Sequence, residues 1–179
     1  MTQRAAANNL DIASITSREV EVVARKLASD PEGLAATGAD APRSAVALAR
    51  LITSSIDEGV NLWRVRIGDD LFGAIIGDDP FSRDAGRLFV WLDPVHRGDD
   101  LGIKLVAETI RQLGREGRDR VIAKPPRSNY AALRILNALE FIYVGEEPVE
   151  QDGSEPRIRY ERGTSGESIT DEPTRAEQF

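Results

Sequence analysis

The stretch Trp91-Leu92-Asp93-Pro94-Val95-His96-Arg97-Gly98-Asp99-Asp100-Leu101-Gly102 constrains the chain more than any other part of it. The apolar run Leu88 to Leu92 ends at an Asp-Pro step, which opens a turn and stops a strand ladder. An Arg-Gly loop follows, and then Val106, Ile110 and Leu113 recur at helical spacing. A strand, a short glycine loop and a helix in that order gather unpaired amides and a positive dipole end at one point, which makes an anion site. Two aspartates stand where the anion would lie. In one reading the loop holds an anionic ligand with the carboxylates turned aside. In the other, Asp99 and Asp100 cap the helix and satisfy the site from within, each contributing about 0.3–1 kcal/mol. The difference matters, because a carboxylate about 4 Å from a phosphate charge costs on the order of 4 kcal/mol at near-surface dielectric.

The remaining elements follow from periodicity. Leu10 to Ile15 reads as a strand, and Thr16 with Glu19 forms a capping box for a helix burying Val20, Val23, Ala24 and Leu27. A Gly/Ala/Pro-rich loop is expected from Asp30 to Pro42, then a second helix with Leu48, Leu51, Ile52 and Ile56 inward. Trp63, Val65 and Ile67 alternate with Arg64 and Arg66 as in a strand, with the arginines on a solvated face. Gly68-Asp69-Asp70 turns the chain into the strand LFGAIIG, and RLFVWL leads to the loop above. After the helix, which ends near Gly114 to Gly117, come the strand RVIA and a helix with Ala132, Ile135, Leu136 and Leu139 inward. FIYVG and RIRYE are the last strands, joined across an acidic connection. The order is β-α-α-β-β-β-α-β-α-β-β, a mixed α/β (α+β) sheet of about seven strands with helices on both faces.

Composition removes several function classes. The 179 residues contain no cysteine, which leaves no thiolate metal site, and one histidine, His96, which argues against a multi-histidine metal site and an intact Ser/His triad. A net charge of -7 repels nucleic acid and anionic membranes. No apolar run reaches the length of a spanning helix, and the N-terminus lacks the apolar core of a secretion signal, so a cytoplasmic protein is expected. Residues 1–9 and 163–179 are polar and non-periodic and are expected to be disordered, the latter as an acidic tail around a single domain at 10–162. The doublets Asp69-Asp70, Asp78-Asp79 and Asp99-Asp100 fall in turns, where aspartate is locally favoured, rather than forming a hard-metal site; no metal is expected.

The element order, with this loop in this place, resembles the GCN5-related N-acetyltransferase (GNAT) superfamily over about residues 10–162. The loop matches the family's Pro-x-x-Arg/Gln-Gly-x-Gly-x-Gly/Ala motif, and Asn129, Ala132 and Leu139-Glu140-Phe141 match its later Asn-x-x-Ala and Leu-Gly-Phe pieces. The resemblance implies acetyl-CoA or another acyl-CoA as co-substrate, bound between two splayed central strands, RLFVWL and RVIA. It places Val90, Trp91 and Leu92 along the pantetheine arm, the backbone of Arg97, Gly98, Asp99, Asp100, Leu101, Gly102 and Ile103 at the pyrophosphate, and Asn129 beside the cofactor. The implied reaction is direct acyl transfer to a primary amine of a small molecule or peptide. The alternative is a catalytically silent fold used as a binding or regulatory module.

Four positions depart from the family pattern. Asp100 replaces the middle glycine of the loop, and Glu140 the glycine before the terminal phenylalanine. Leu136 stands where many members carry a tyrosine acid, and Lys124 where some carry a glutamate base. No residue is assigned as catalytic acid or base. Tyr130 and Tyr143 lie nearby, Tyr143 within a strand; Asp93 and Glu108 are weighed as bases, but as a turn opener and a solvent-facing residue respectively. His96 is expected to support the loop, Lys124 to be solvated at the cleft mouth, and Trp63 and Trp91 to be core or cleft-wall aromatics. Apolar edges on the final strands could supply a homodimer contact. The acceptor is left to the loops around 28–45 and 145–157.

Overall fold

The computed structural model describes residues 10–37, 42–76, 85–98, 100–147 and 155–165. Seven strands form one sheet in the order β1-β2-β3-β4-β5-β7-β6. They are β1 (Leu10–Ser14), β2 (Leu62–Ile67), β3 (Asp70–Ile76), β4 (Ala85–Leu92), β5 (Arg120–Ala123), β6 (Ile142–Glu146) and β7 (Ile158–Gly163). The helices are α1 (Ser17–Ala28), α2 (Pro31–Thr37), α3 (Ala45–Asp57), α4 (Leu101–Arg115) and α5 (Tyr130–Ala138). All pairs are antiparallel except β4 with β5, which the α4 crossover makes parallel.

The expected capping box is present: the Thr16 hydroxyl accepts from the Glu19 amide while the Glu19 carboxylate accepts from the Thr16 amide. Helix α1 buries Val20, Val23, Ala24 and Leu27, and α4 buries Leu105, Val106, Ile110 and Leu113. Two cores result, one on each face of β4, because successive strand residues point to opposite sides. Leu88, Val90 and Leu92 join the core under α4 and α5, while Phe89 and Trp91 join the one under α1 and α3.

Four expectations need correction. The segment from Asp30 to Pro42 contains α2, a short helix held by tertiary contacts described below. On α3 only Leu48 is fully buried; Leu51 is exposed, and Ile52 and Ile56 are half-buried, since the helix rests on α1 along a narrow stripe. Arg64 and Arg66 are not simply solvated: Glu19 Oε1 lies 3.0 Å from Arg64 Nε and 3.6 Å from Arg66 Nε, and Arg64 also reaches Asp11 at 2.7 Å. The ordered chain also runs past residue 162, through Gly163 of β7 to Thr164, whose hydroxyl bonds the Arg118 and Asp119 carbonyls. Residues 1–9 and 166–179 and the Asp78-Asp79 doublet lie outside the described residues.

Candidate active site

The two central strands part where the sheet changes partners. β5 pairs with β4 only from Ala85 to Leu88, whereas Phe89 to Leu92 pair with β3 alone. Beyond Leu88, the β5-facing edge of β4 opens onto a cleft of about 240 Å³. Val90, Trp91 and Leu92 line it on one side, Lys124 and Pro125 on the other, together with Ile135 and Leu136 of α5 and Asn129, which precedes that helix. Gly98, Asp100, Gly102 and Ile103 bring the start of α4 to the same cleft. Of the described residues expected at the cofactor, Leu101 alone does not line it, its side chain being turned into the core, and Asp99 lies outside the described residues.

The two readings of the aspartates part at Asp100. It occupies the N-cap of α4 with a left-handed backbone, φ 53°, and its carboxylate makes no capping hydrogen bond. Its side chain therefore does not satisfy the opening amides of α4, which have no partner within the helix. Glu140, the other lost glycine, has φ 57°, and these are the two non-glycine residues with positive φ among those described. The backbone keeps the glycine geometry at both positions even though the glycine is gone. Gly98, at φ 107°, needs its glycine for the turn, whereas a Cβ at Gly102 would meet the tip of Ile135, Cδ1, at 2.7 Å, which that side chain can relieve by turning.

Arg97 ties the loop to the other side of the sheet. Its Nε donates to the Leu92 carbonyl at 3.1 Å, its Nη1 to Glu32 at 2.9 Å, and its Nη2 to Asp30. Asp30 is buried, 4% exposed, and also accepts from Trp91 Nε1 at 2.8 Å. Burial alone would raise its pKa; hydrogen bonds from Trp91, the Gly33 amide and Arg97 outweigh that and hold the carboxyl below the ordinary aspartate value. Gly33 has no room for a side chain, because a Cβ would lie 2.1 Å from Asp30 Oδ2. Sequence reasoning missed Asp30, Glu32 and Gly33. The available signal was Asp30-Pro31-Glu32, with proline at the first helical position and an acid in the first turn.

The other candidates resolve into structural roles. His96 Nε2 sits 3.0 Å from Asp70 Oδ2 and its ring packs on Phe72, 4.9 Å between centroids. Asp93 accepts from Lys26 Nζ at 2.8 Å and from the Val95 amide; burial opposes these bonds but they prevail, keeping its pKa below the usual value. Glu108 pairs with Arg111 and Arg115 along α4. Asn129 Oδ1 caps α5 through the Ala132 amide at 3.0 Å while the residue lines the cleft. Lys124 Nζ is 2.9 Å from Glu147, so this lysine is paired rather than simply solvated. Tyr130 is 78% exposed, and Tyr143, on β6, is 57% exposed with Tyr160 edge-on to it. Leu136 is buried where the resemblance would put an acid, which leaves no proton donor there. Among the described residues no group of three or more metal-ligating side chains occurs.

No family model matches the chain, and no curated protein does. Solved structures do. A putative acetyltransferase, YncA, from Salmonella typhimurium with acetyl-CoA matches with TM-score 0.70 at 18% identity, covering 92% of this chain and 99% of that one. Spermidine N-acetyltransferase from Vibrio cholerae, in complex with CoA and spermine, matches with TM-score 0.74 at 12% identity, over 89% and 98%. An acetyltransferase of the GNAT family from Streptococcus pneumoniae matches with TM-score 0.64 at 13% identity, over 87% and 99%. With its seven-stranded mixed sheet parted between β4 and β5, this chain has the GNAT acetyltransferase fold.

Proposed function

We propose that the chain is an acyl-CoA-dependent N-acyltransferase that passes an acetyl or related acyl group directly to a primary amine of a small molecule or peptide. The observation that carries this reading is the open cleft between β4 and β5, which leads to α4 amides that Asp100 leaves uncapped. The lining suits a polyanionic thioester: Arg97, Lys124, Arg134 and Arg157 stand against Glu32 and Asp100. The structural neighbour crystallised with CoA and spermine supports an amine acceptor.

In such a transfer the amine lone pair attacks the thioester carbonyl, the C–N bond forms, the C–S bond breaks, and the ammonium proton must reach the departing thiolate. Leu136 cannot donate that proton, and Lys124, at the position where some members carry a glutamate base, is paired with Glu147. The chain's own contribution is then alignment of the reactants, polarisation of the carbonyl by backbone N–H groups of β4, and a water path for the proton. Alignment alone can supply about 7–11 kcal/mol of the barrier.

The same departures favour a second reading, a catalytically silent fold that serves as a binding or regulatory module. Thiol release from acetyl-CoA across a panel of primary amines separates the two. Amine-dependent release supports the enzyme; CoA binding with no release for any amine supports the module. The reading also covers a cytoplasmic location, no metal, no nucleic-acid or membrane partner, and a homodimer through β6, whose Ile142, Tyr143 and Val144 are exposed on the outermost strand.

A further inference from the structure

Arg97 is held unequally by its two carboxylates. Asp30 is buried, 4% exposed, and is fixed by Trp91 Nε1 at 2.8 Å, so the Nη2 arm has a rigid partner. The Nε arm is fixed on the Leu92 carbonyl. The Nη1 arm alone meets a solvent-exposed partner: the Glu32 side chain is 85% exposed, and a pair of that kind is worth little in water. Arg97 and Glu32 both line the cleft that contains Gly98 and Asp100. A guanidinium with two arms anchored and one lent to an exposed carboxylate is a fork preset for a stronger anion.

We propose that Glu32 is a place-holder for the cofactor: it occupies Arg97 Nη1 in the free protein and yields it to the diphosphate of the acyl-CoA, while Asp30 keeps the guanidinium in position. This rests on the transferase reading, and it makes Glu32 a residue that sets cofactor affinity by competition. The exchange keeps Nη1 partnered in both states, and the diphosphate wins it because it carries more charge than one carboxylate. Asp30, which touches neither ligand, is a positioning residue in this scheme.

Calorimetric titration of the full chain with coenzyme A at low salt tests it, using wild type, Glu32→Gln, Arg97→Lys and the double variant. Lysine keeps a charge for Asp30 but cannot fork to Glu32 as well. The expected result is that Glu32→Gln binds coenzyme A about two- to fivefold more tightly, the range set by an exposed ion pair. In the Arg97→Lys background the same change should have no effect. Unchanged or weaker binding by Glu32→Gln overturns the proposal, and so does equal tightening in both backgrounds, which would be a general field effect. If wild type itself binds no coenzyme A, the transferase reading fails first, a result distinct from normal wild-type binding with an unresponsive Glu32→Gln. Should melting curves show that Arg97→Lys does not fold, the wild-type Arg97 Nε–H resonance decides: it shifts on coenzyme A addition if the guanidinium changes partners, and an unmoved signal overturns the exchange.

Discussion

Asp100 and Glu140 carry the same backbone cost, a left-handed conformation worth about 1–2 kcal/mol for a residue with a Cβ. Glycine would remove it but lose about 0.5–1 kcal/mol through the freedom of the unfolded chain. Glu140→Gly is therefore predicted to stabilise the protein by up to about 1 kcal/mol, read by urea denaturation. Asp100→Gly should do the same and also tighten coenzyme A, since it removes a negative charge from the cleft wall. Gly33→Ala is predicted to act oppositely. Its methyl would displace Asp30 or Trp91, break a buried polar network, and cost about 1–3 kcal/mol. Acid sensitivity belongs to the same scale. Glu19, Asp30 and Asp93 all have folded pKa values below their ordinary ones: burial raises each, and hydrogen bonds and cations lower it further than that. Their stabilisation is present in full above the unfolded values, near 4, and is lost as pH falls through the lowered folded ones. Melting temperature should therefore drop steeply below about pH 4, and Asp30→Asn should flatten that drop.

At the scale of elements, what was legible depended on how local the cause is. The Thr16/Glu19 box spans three residues, and the stripes on α1 and α4 recur every turn, so each could be read from its own stretch of chain. Helix α2 could not. Seven residues with a glycine inside are marginal as an isolated helix, and its order comes from Trp91 and Arg97, 61 and 67 positions from Asp30. The arginines of β2 were misread for the same reason, because their partner Glu19 arrives from α1. On α3, periodicity marked Leu51 as inward but could not say how wide the covered stripe is. Leu48→Ala is predicted to cost about 2–5 kcal/mol in chemical denaturation, whereas Leu51→Ala should stay within about 0.5 kcal/mol. Equal losses would mean α3 is rotated from the orientation described.

For the whole molecule, the sequence order alone implied seven strands and a mixed sheet, and the sheet has that form. The parting of β4 from β5 was implied only by the resemblance, because it depends on where two registers end. The opposite outcome for the cleft, an aspartate folded over the helix start, is equally compatible with the residues; the Asp100 carboxylate makes no such bond, and Asp99 lies outside the described residues. If the exposed apolar side of β6 forms a homodimer, sedimentation should show a concentration-dependent dimer that Val144→Lys converts to monomer, as charge on a strand edge commonly does. The central claim, that the α4 amides receive a diphosphate, is tested most directly by amide chemical shifts during a coenzyme A titration. The account predicts saturable shifts of Gly98, Leu101, Gly102 and Ile103 at about micromolar ligand, a typical affinity for a preformed site. Amides that stay unmoved at about millimolar coenzyme A would contradict it.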